Sequence, residues 1–397
     1  MRMLPRYVPS IDLSARFESF SPSGIQAAIE FLQTNLGLSD WRQVTPVAQA
    51  RHGIATYFDE LSRRDTRRSV ILSSQICPVV PSLLMALGFR PVFIDVDSDV
   101  PMPNGEQIAA ALSDKSFVES VAAIIISPIY GYLPAGLDEV AKHLNGIAVL
   151  LDLAQAVTLA PALPQLLARA DASVFSFGIG KGLDSGGGVL AVRAGNIAFD
   201  NGMGPAFAIL SGLPTALAVR LTAGLGIYEV AMLAMERGSG IETWTATDAT
   251  AIRKRLPDGV FKAFAARFKR FAQEVGIARR HAAILFESSA VSKACRSREV
   301  FGSGDQMHLR QIIRLKDPSQ REPVLASLRK AGIDAMPAGE PLAASYLPSG
   351  TFALCADDQL PNAKRFLSDA IRLPFLGRMD ERSFRRVAAA LENALER

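Results

Sequence analysis

Cysteine is scarce in this chain: 397 residues hold only Cys77, Cys295 and Cys355. They are far apart and odd in number, so they give neither a disulfide framework nor a metal-ligand spacing, and no metal site is expected. Excess charge of one sign is also small. The 43 Lys and Arg against 39 Asp and Glu leave +4, and the basic residues are scattered, which argues against a nucleic-acid-binding stripe. The opening M-R-M-L-P-R-Y-V-P-S is basic but lacks the apolar run of a signal peptide. The longest apolar stretch, Leu213 to Met235, is interrupted by Arg220 and Glu229 and contains Gly224 and Gly226. That fits a buried helix better than a membrane span. Internal repeats and low-complexity tracts are missing too. A soluble enzyme of the reducing cytoplasm, with neither nucleic acid nor membrane as a partner, is the default expectation.

What is present is ample apolar material, 49% of a chain whose length suggests two domains. Residues 1–20 read as an arm. Ser23 is placed to cap a helix through about Leu36, since Ile25, Ala28, Ile29 and Leu32 fall at helical spacing. From Val44 to Val192, short apolar runs alternate with helical patterns, including a helix from about Gly53 to Arg63. Strands apolar on both faces and separated by helices predict a largely parallel sheet covered on both sides, over residues 21–240. A charged helical segment, Arg253 to Glu274, lies within a connection at 241–299. Residues 300–397 then read as a small α+β domain, with strands at His308 to Leu315 and Thr351 to Cys355 and helices at Arg321 to Lys330, Asn362 to Ala370 and Phe384 to Leu395.

The chemistry gathers between Asp152 and Gly188. The apolar run from Ile147 delivers Asp152 and then Gln155. The run from Ala172 delivers Ser176 and, five residues later, Lys181 in a glycine-rich setting that ends in the triplet Gly186 to Gly188. Open α/β sheets place ligands at such strand ends. A carboxylate, a hydroxyl and a lysine converging there suit a phosphate-bearing pyridine cofactor.

D-L-A-Q-A at 152–156 resembles the D-A-A-Q/H-A motif of the DegT/StrS-type sugar aminotransferases, pyridoxal-phosphate enzymes of fold type I. F-S-F-x-x-x-K at 175–181, followed by the glycines, is similar to their Schiff-base lysine motif. R-P-V-F-I-D-V-D at 90–97, I-Y-G-Y-L-P-A-G-L-D at 129–138, K-A-G-I-D at 330–334 and I-R-L-P at 371–374 also look like family landmarks. The resemblance implies a fold-type-I large domain with a mainly parallel sheet, plus a small C-terminal α+β domain.

It further implies that Lys181 forms the Schiff base and that Asp152 pairs with the pyridinium nitrogen. Gln155 would lie beside the ring and Ser176 would bind the phosphate. Gly53 and Ile54, in H-G-I where the family reads S-G-T, would offer backbone N–H groups to the phosphate, with His52 either a substitute donor or an ordinary loop residue. Two departures stand out. Cys77 falls where the family places a ring-stacking aromatic, and A-V-R at 218–220 falls on the partner subunit's N-x-R, with Arg220 kept and the asparagine replaced by Ala218. The expected activity is amino transfer from an amino acid to a keto acceptor on a nucleotide-linked sugar or cyclic polyol, in a homodimer. A pyridoxal-phosphate-dependent elimination or other carbanion chemistry, and a divergent non-catalytic relative, remain as alternatives. Retention of the lysine argues against the family's dehydratase branch, in which histidine replaces it.

Overall fold

Apolar runs too short for helices build the sheet that carries the candidate site. The computed structural model describes residues 3–4, 25–133, 136–144, 146–157, 164–178, 180–199, 217, 221–222, 253, 255–302, 306–355 and 360–396. The strands are β1 (Gln43–Val47), β2 (Ser69–Ser73), β3 (Arg90–Ile94), β4 (Val121–Ile126), β5 (Ala148–Asp152), β6 (Ala172–Ser176), β7 (Gly188–Val192), β8 (Cys295–Arg296), β9 (Ile312–Leu315), β10 (Met336–Pro337), β11 (Ala353–Leu354) and β12 (Ala370–Arg372). The principal helices are α1 (Ile25–Asn35), α2 (Ala50–Arg64), α3 (Val79–Ala86), α4 (Gly105–Ala111), α5 (Pro164–Arg169), α6 (Val260–Glu287), α7 (Ser289–Ala294), α8 (Arg321–Lys330), α9 (Pro361–Asp369) and α10 (Glu381–Leu395).

The large sheet has eight strands in the order β1-β7-β6-β5-β4-β2-β3-β11. All neighbours are parallel except β7, which runs antiparallel to both β1 and β6. Its two faces feed two separate cores. Ile124, Ile126, Val149, Leu151 and Phe175 point into one, shared with α1 and α6, while Ala123, Ile125, Leu150, Val174 and Leu190 point into the other, shared with α2 and α3. This alternation within unbroken apolar runs is what burial of both faces of a parallel sheet requires. A second sheet, β10-β12-β9-β8, is antiparallel and closes a third core with α8 and α10. The architecture is mixed α/β with a mostly parallel large sheet, as expected.

Besides α2, which starts at Ala50 rather than near Gly53, three expected elements differ. The strand expected at Thr351 to Cys355 shrinks to β11 and extends the large sheet, pairing Ala353 with Val92 and Leu354 with Phe93. Phe352 explains the docking: its ring meets Phe93 edge-on with centroids 5.8 Å apart. The helix expected at Arg253 to Glu274 starts at Val260 and runs to Glu287, because Val275, Ala278, Ala282 and Leu285 continue its buried stripe past Glu274. It enters two cores, with Phe261, Phe264 and Phe271 in one and Leu285 and Phe286 in another. The strand expected from His308 begins only at Ile312. His308 has a left-handed φ of 52°, and the flanking amides of Met307 and Leu309 donate to the carbonyls of Gly131 and Tyr130.

No helix among the described residues is long and apolar enough to cross a membrane. The arm beyond residues 3–4 lies outside the described residues. So does the stretch Leu213 to Met235, including Ala218 and Arg220, apart from residues 217 and 221–222.

Candidate functional site

Strands β2, β4, β5 and β6 run in one direction, so their carboxyl ends share an edge of the sheet. Two successive antiparallel pairings, β6 with β7 and β7 with β1, return β1 to that same sense. The start of α2 after β1 therefore reaches the same edge. A cavity of about 360 Å³ opens there, walled by Ala50, Arg51, Ile54, Cys77, Ser127, Asp152, Gln155, Ser176 and Lys181 among others. Five of the six expected site residues thus meet at one opening.

Asp152 is the last residue of β5 and only 6% exposed. Its Oδ2 accepts from the Ser127 hydroxyl at 3.2 Å and its Oδ1 from the Ala154 amide at 3.1 Å. Burial pushes the carboxyl above its usual range, while the Ala154 amide, the charge of Lys181 and the Ser127 hydroxyl pull the other way. Among the described residues Asp152 forms no ion pair. A buried carboxylate facing a cavity without a cationic partner is costly, and a protonated ring nitrogen would relieve that cost.

Lys181 stands in the turn after β6, half-buried, with its amide bonded to the Gly178 carbonyl at 3.1 Å. Its ε-nitrogen makes no hydrogen bond or ion pair among the described residues. Gly182 beside it has φ +103°, and a Cβ there would stand 2.4 Å from the Phe271 ring, so only glycine fits. Ser176 ends β6 and lines the cavity at 9% exposure. A buried acid, an amine, a hydroxyl and a helix start around one cavity fit a phosphorylated pyridine.

Gln155 lines the cavity, and its Oε1 accepts from the amide of Tyr130, a residue held at φ +60°. Cys77 does occupy the wall, and burial pushes its thiol up against the opposing influence of Lys181.

Gly53 is not among the lining residues. α2 begins three residues before it, and the amides of His52 and Gly53 already donate to the Gln49 carbonyl at 3.0 and 3.4 Å. The first-turn positions beside the cavity are Ala50 and Arg51. Gly53 instead lets α2 pack closely on the sheet, since a Cβ there would meet Leu190 at 3.3 Å and Val174 at 3.5 Å.

Two lining residues, Ser127 and Arg51, and Glu340 outside the lining were not anticipated from the sequence. Ser127 was within reach, because it follows the apolar run of β4 just as Asp152 ends that of β5. Arg51 was hidden by the misplaced helix start. Glu340 left no local signal. Gln75 holds its backbone from both sides, accepting from the amide at 2.7 Å and donating to the carbonyl at 3.1 Å. Burial raises the Glu340 carboxyl, and the charges of Lys181 and Arg372 oppose that.

Residues 61–199 match the DegT/DnrJ/EryC1/StrS aminotransferase family. The resemblance carried by D-L-A-Q-A and F-S-F-x-x-x-K is borne out over that segment, which contains Asp152, Gln155, Ser176 and Lys181. In fold the chain is similar to the aminotransferase TlmJ from Streptoalloteichus hindustanus, with TM-score 0.70 at 19% identity over 99% of both chains. It is also similar to Helicobacter pylori PseC, an aminotransferase involved in the biosynthesis of pseudoaminic acid, with TM-score 0.69 at 16% identity over 100% of both chains. DesI, solved in the presence of its TDP-sugar product, gives TM-score 0.67 at 19% identity, covering 100% of this chain and 93% of its own. No curated protein matches the chain in sequence. The fold is that of the fold-type-I aminotransferases.

Proposed function

We propose that this chain, which carries the family's pattern over residues 61–199, is a pyridoxal-phosphate-dependent aminotransferase. It moves an amino group from an amino-acid donor to a keto acceptor on a nucleotide-linked sugar or cyclic polyol. The observation that carries the reading is the meeting of Asp152 and Lys181 on one cavity, each from the motif that the family uses for that role. The acceptor class leans on the relatives, since DesI was solved with a TDP-sugar product and PseC serves pseudoaminic acid biosynthesis.

When bound, the cofactor supplies an electron sink for the carbanion that forms as the amine-bearing carbon loses its proton. The ε-nitrogen of Lys181 would be the amine that anchors the cofactor, and as a free amine would be the base that carries that proton. The carboxylate of Asp152 holds a proton on the ring nitrogen by a charge-assisted hydrogen bond, with Ser127 and the Ala154 amide fixing its two oxygens. Ser176 Oγ and the first turn of α2 at Ala50 and Arg51 take the phosphate end, where a helix start favours an anion. Ile54, Val79 and Val80 add apolar lining that excludes water. The reading includes a cytoplasmic homodimer in which Arg220 reaches the partner's phosphate. The three free thiols fit a reducing compartment.

Loading the protein with pyridoxal phosphate, reducing with borohydride and mapping the peptides tests the assignment. The pyridoxyl group is expected on Lys181, and candidate amino donors should bleach the visible absorbance of unreduced protein. A label on Lys142 or Lys293 instead would overturn it.

A further inference from the structure

Behind the turn that carries Lys181 lies a buried cluster of charges that the chemistry above does not use. Arg378, in the single helical turn at Leu376–Arg378 after β12, sends its three nitrogens to three partners. Nε reaches Glu274 of α6 at 2.7 Å, Nη1 reaches Asp184 at 2.5 Å, and Nη2 donates to the Gly182 carbonyl at 2.6 Å. Arg267 of α6 donates to both Glu274 oxygens at 3.0 Å and to the same Gly182 carbonyl at 3.3 Å. Two buried arginines meet two buried carboxylates, with side chains 5%, 11%, 8% and 0% exposed for Arg267, Arg378, Glu274 and Asp184, and the exposed Arg270 also reaches Glu274 at 3.5 Å.

The cluster grips the main chain on each side of Lys181. Gly180, the residue before the lysine, is held at both of its main-chain groups: its amide donates to Asp184 Oδ1 at 3.2 Å, and its carbonyl accepts from Arg310 Nη2 at 3.1 Å. Gly182, the residue after it, is held through its carbonyl. Asp184 itself sits at φ +55°, a conformation that costs a non-glycine residue energy and persists only when its surroundings enforce it. Close approach is built in from the other side too, since a Cβ on Gly377 would stand 2.3 Å from the Glu274 carbonyl oxygen.

We propose that Arg378 is a positioning residue for Lys181: through Asp184 and the Gly182 carbonyl, its guanidinium fixes the turn that aims the lysine into the cavity. Arg378 and Arg310 both come from the C-terminal part of the chain, so the amine is aimed by segments remote from its own strand. The planar fork matters as much as the charge, because three differently placed acceptors are satisfied at once. The inference rests on the proposed role of Lys181, and its test is chosen to stand apart from that role.

The experiment uses the full chain as Arg378→Met, Arg378→Lys and Arg310→Met, with Arg385→Met as a control in an exposed ion pair. Amide hydrogen exchange across residues 178–187 is followed without cofactor, and borohydride labelling of Lys181 with pyridoxal phosphate is followed separately. Arg378→Met should expose the Gly180 amide, held by Asp184, and the adjoining Lys181 amide, held by the Gly178 carbonyl, to fast exchange and slow labelling about 10²-fold, the size expected of a misplaced reacting group. Arg378→Lys keeps the charge and should restore much of the melting temperature, yet leave exchange fast and labelling slow. Arg310→Met should loosen the Gly180 side alone and decides the question if Arg378→Met does not fold. Wild-type exchange and labelling in Arg378→Lys would overturn the proposal, as would exchange in Arg310→Met no faster than in the control. If wild-type protein takes no label on Lys181, the cofactor assignment fails, while exchange in the cofactor-free chain still decides the clamp.

Discussion

Ser127 Oγ lies 3.2 Å from Asp152 Oδ2, across the carboxyl ends of the neighbouring strands β4 and β5. The parallel pairing of these strands puts a hydroxyl donor beside a carboxylate that burial drives towards its neutral form. Ser127 and the Ala154 amide pull against that drive and fix the two oxygens towards the cavity.

Ser127→Ala removes one of the two bonds to Asp152. A hydrogen bond to a charged group contributes roughly 1.5–3 kcal/mol, so kcat/KM should fall by about tenfold or somewhat more. The lost bond had been lowering the Asp152 pKa, so the acid limb of the kcat/KM profile should move to higher pH. An unchanged profile would separate Ser127 from the chemistry.

Asp152→Asn should still bind pyridoxal phosphate but turn over about 10²-fold more slowly, because the amide does not hold the ring nitrogen charged. Stability gives a second readout. In the cofactor-free protein burial raises Asp152 above its ordinary value of 3.8, so the folded state holds the proton more tightly than the unfolded state does. Wild-type protein should lose stability relative to Asp152→Asn as pH rises from that value through the raised one. Melting temperatures of both forms across pH test this, and bound cofactor should reverse the trend by adding a positive charge opposite the carboxylate.

Cys77 lines the cavity, and burial holds its thiol above the ordinary value of 9.0. Alkylation at neutral pH should therefore be slow and should accelerate in alkaline solution, since the thiolate is the reactive form. Pyridoxal phosphate should protect Cys77 and leave Cys355 unaffected. Cys295, pushed up to about 12 by burial, should be slower still. Equal reactivity of Cys77 with and without cofactor, read by mass spectrometry, would place the cofactor elsewhere.

Mixing inactive Lys181→Ala with an inactive Arg220→Ala protein tests shared sites in a homodimer. Mixed dimers should regain activity at the sites that keep both residues. Subunit exchange without any recovery would remove Arg220 from the partner's phosphate.

The sequence by itself determined the strands of the large sheet up to Val192, the order of the helices between them and the two motifs that place Asp152 and Lys181. These are local properties: apolar runs of strand length set β5 and β6, and the residues just past such runs must emerge at an edge of the sheet. Ser127 belonged to the same logic. Tertiary structure alone decided the rest. Where α2 starts depends on the Gln49 carbonyl capturing the amides of His52 and Gly53, so the first turn faces the cavity at Ala50 and Arg51. Whether Ala353 and Leu354 join the small or the large sheet depends on Phe352 finding Phe93. Arg378 and Arg310 act on the main chain beside Lys181 from segments far away in sequence. No periodicity encodes such contacts, because ion pairs and hydrogen bonds between distant segments exist only once the packing of α6 has brought them together.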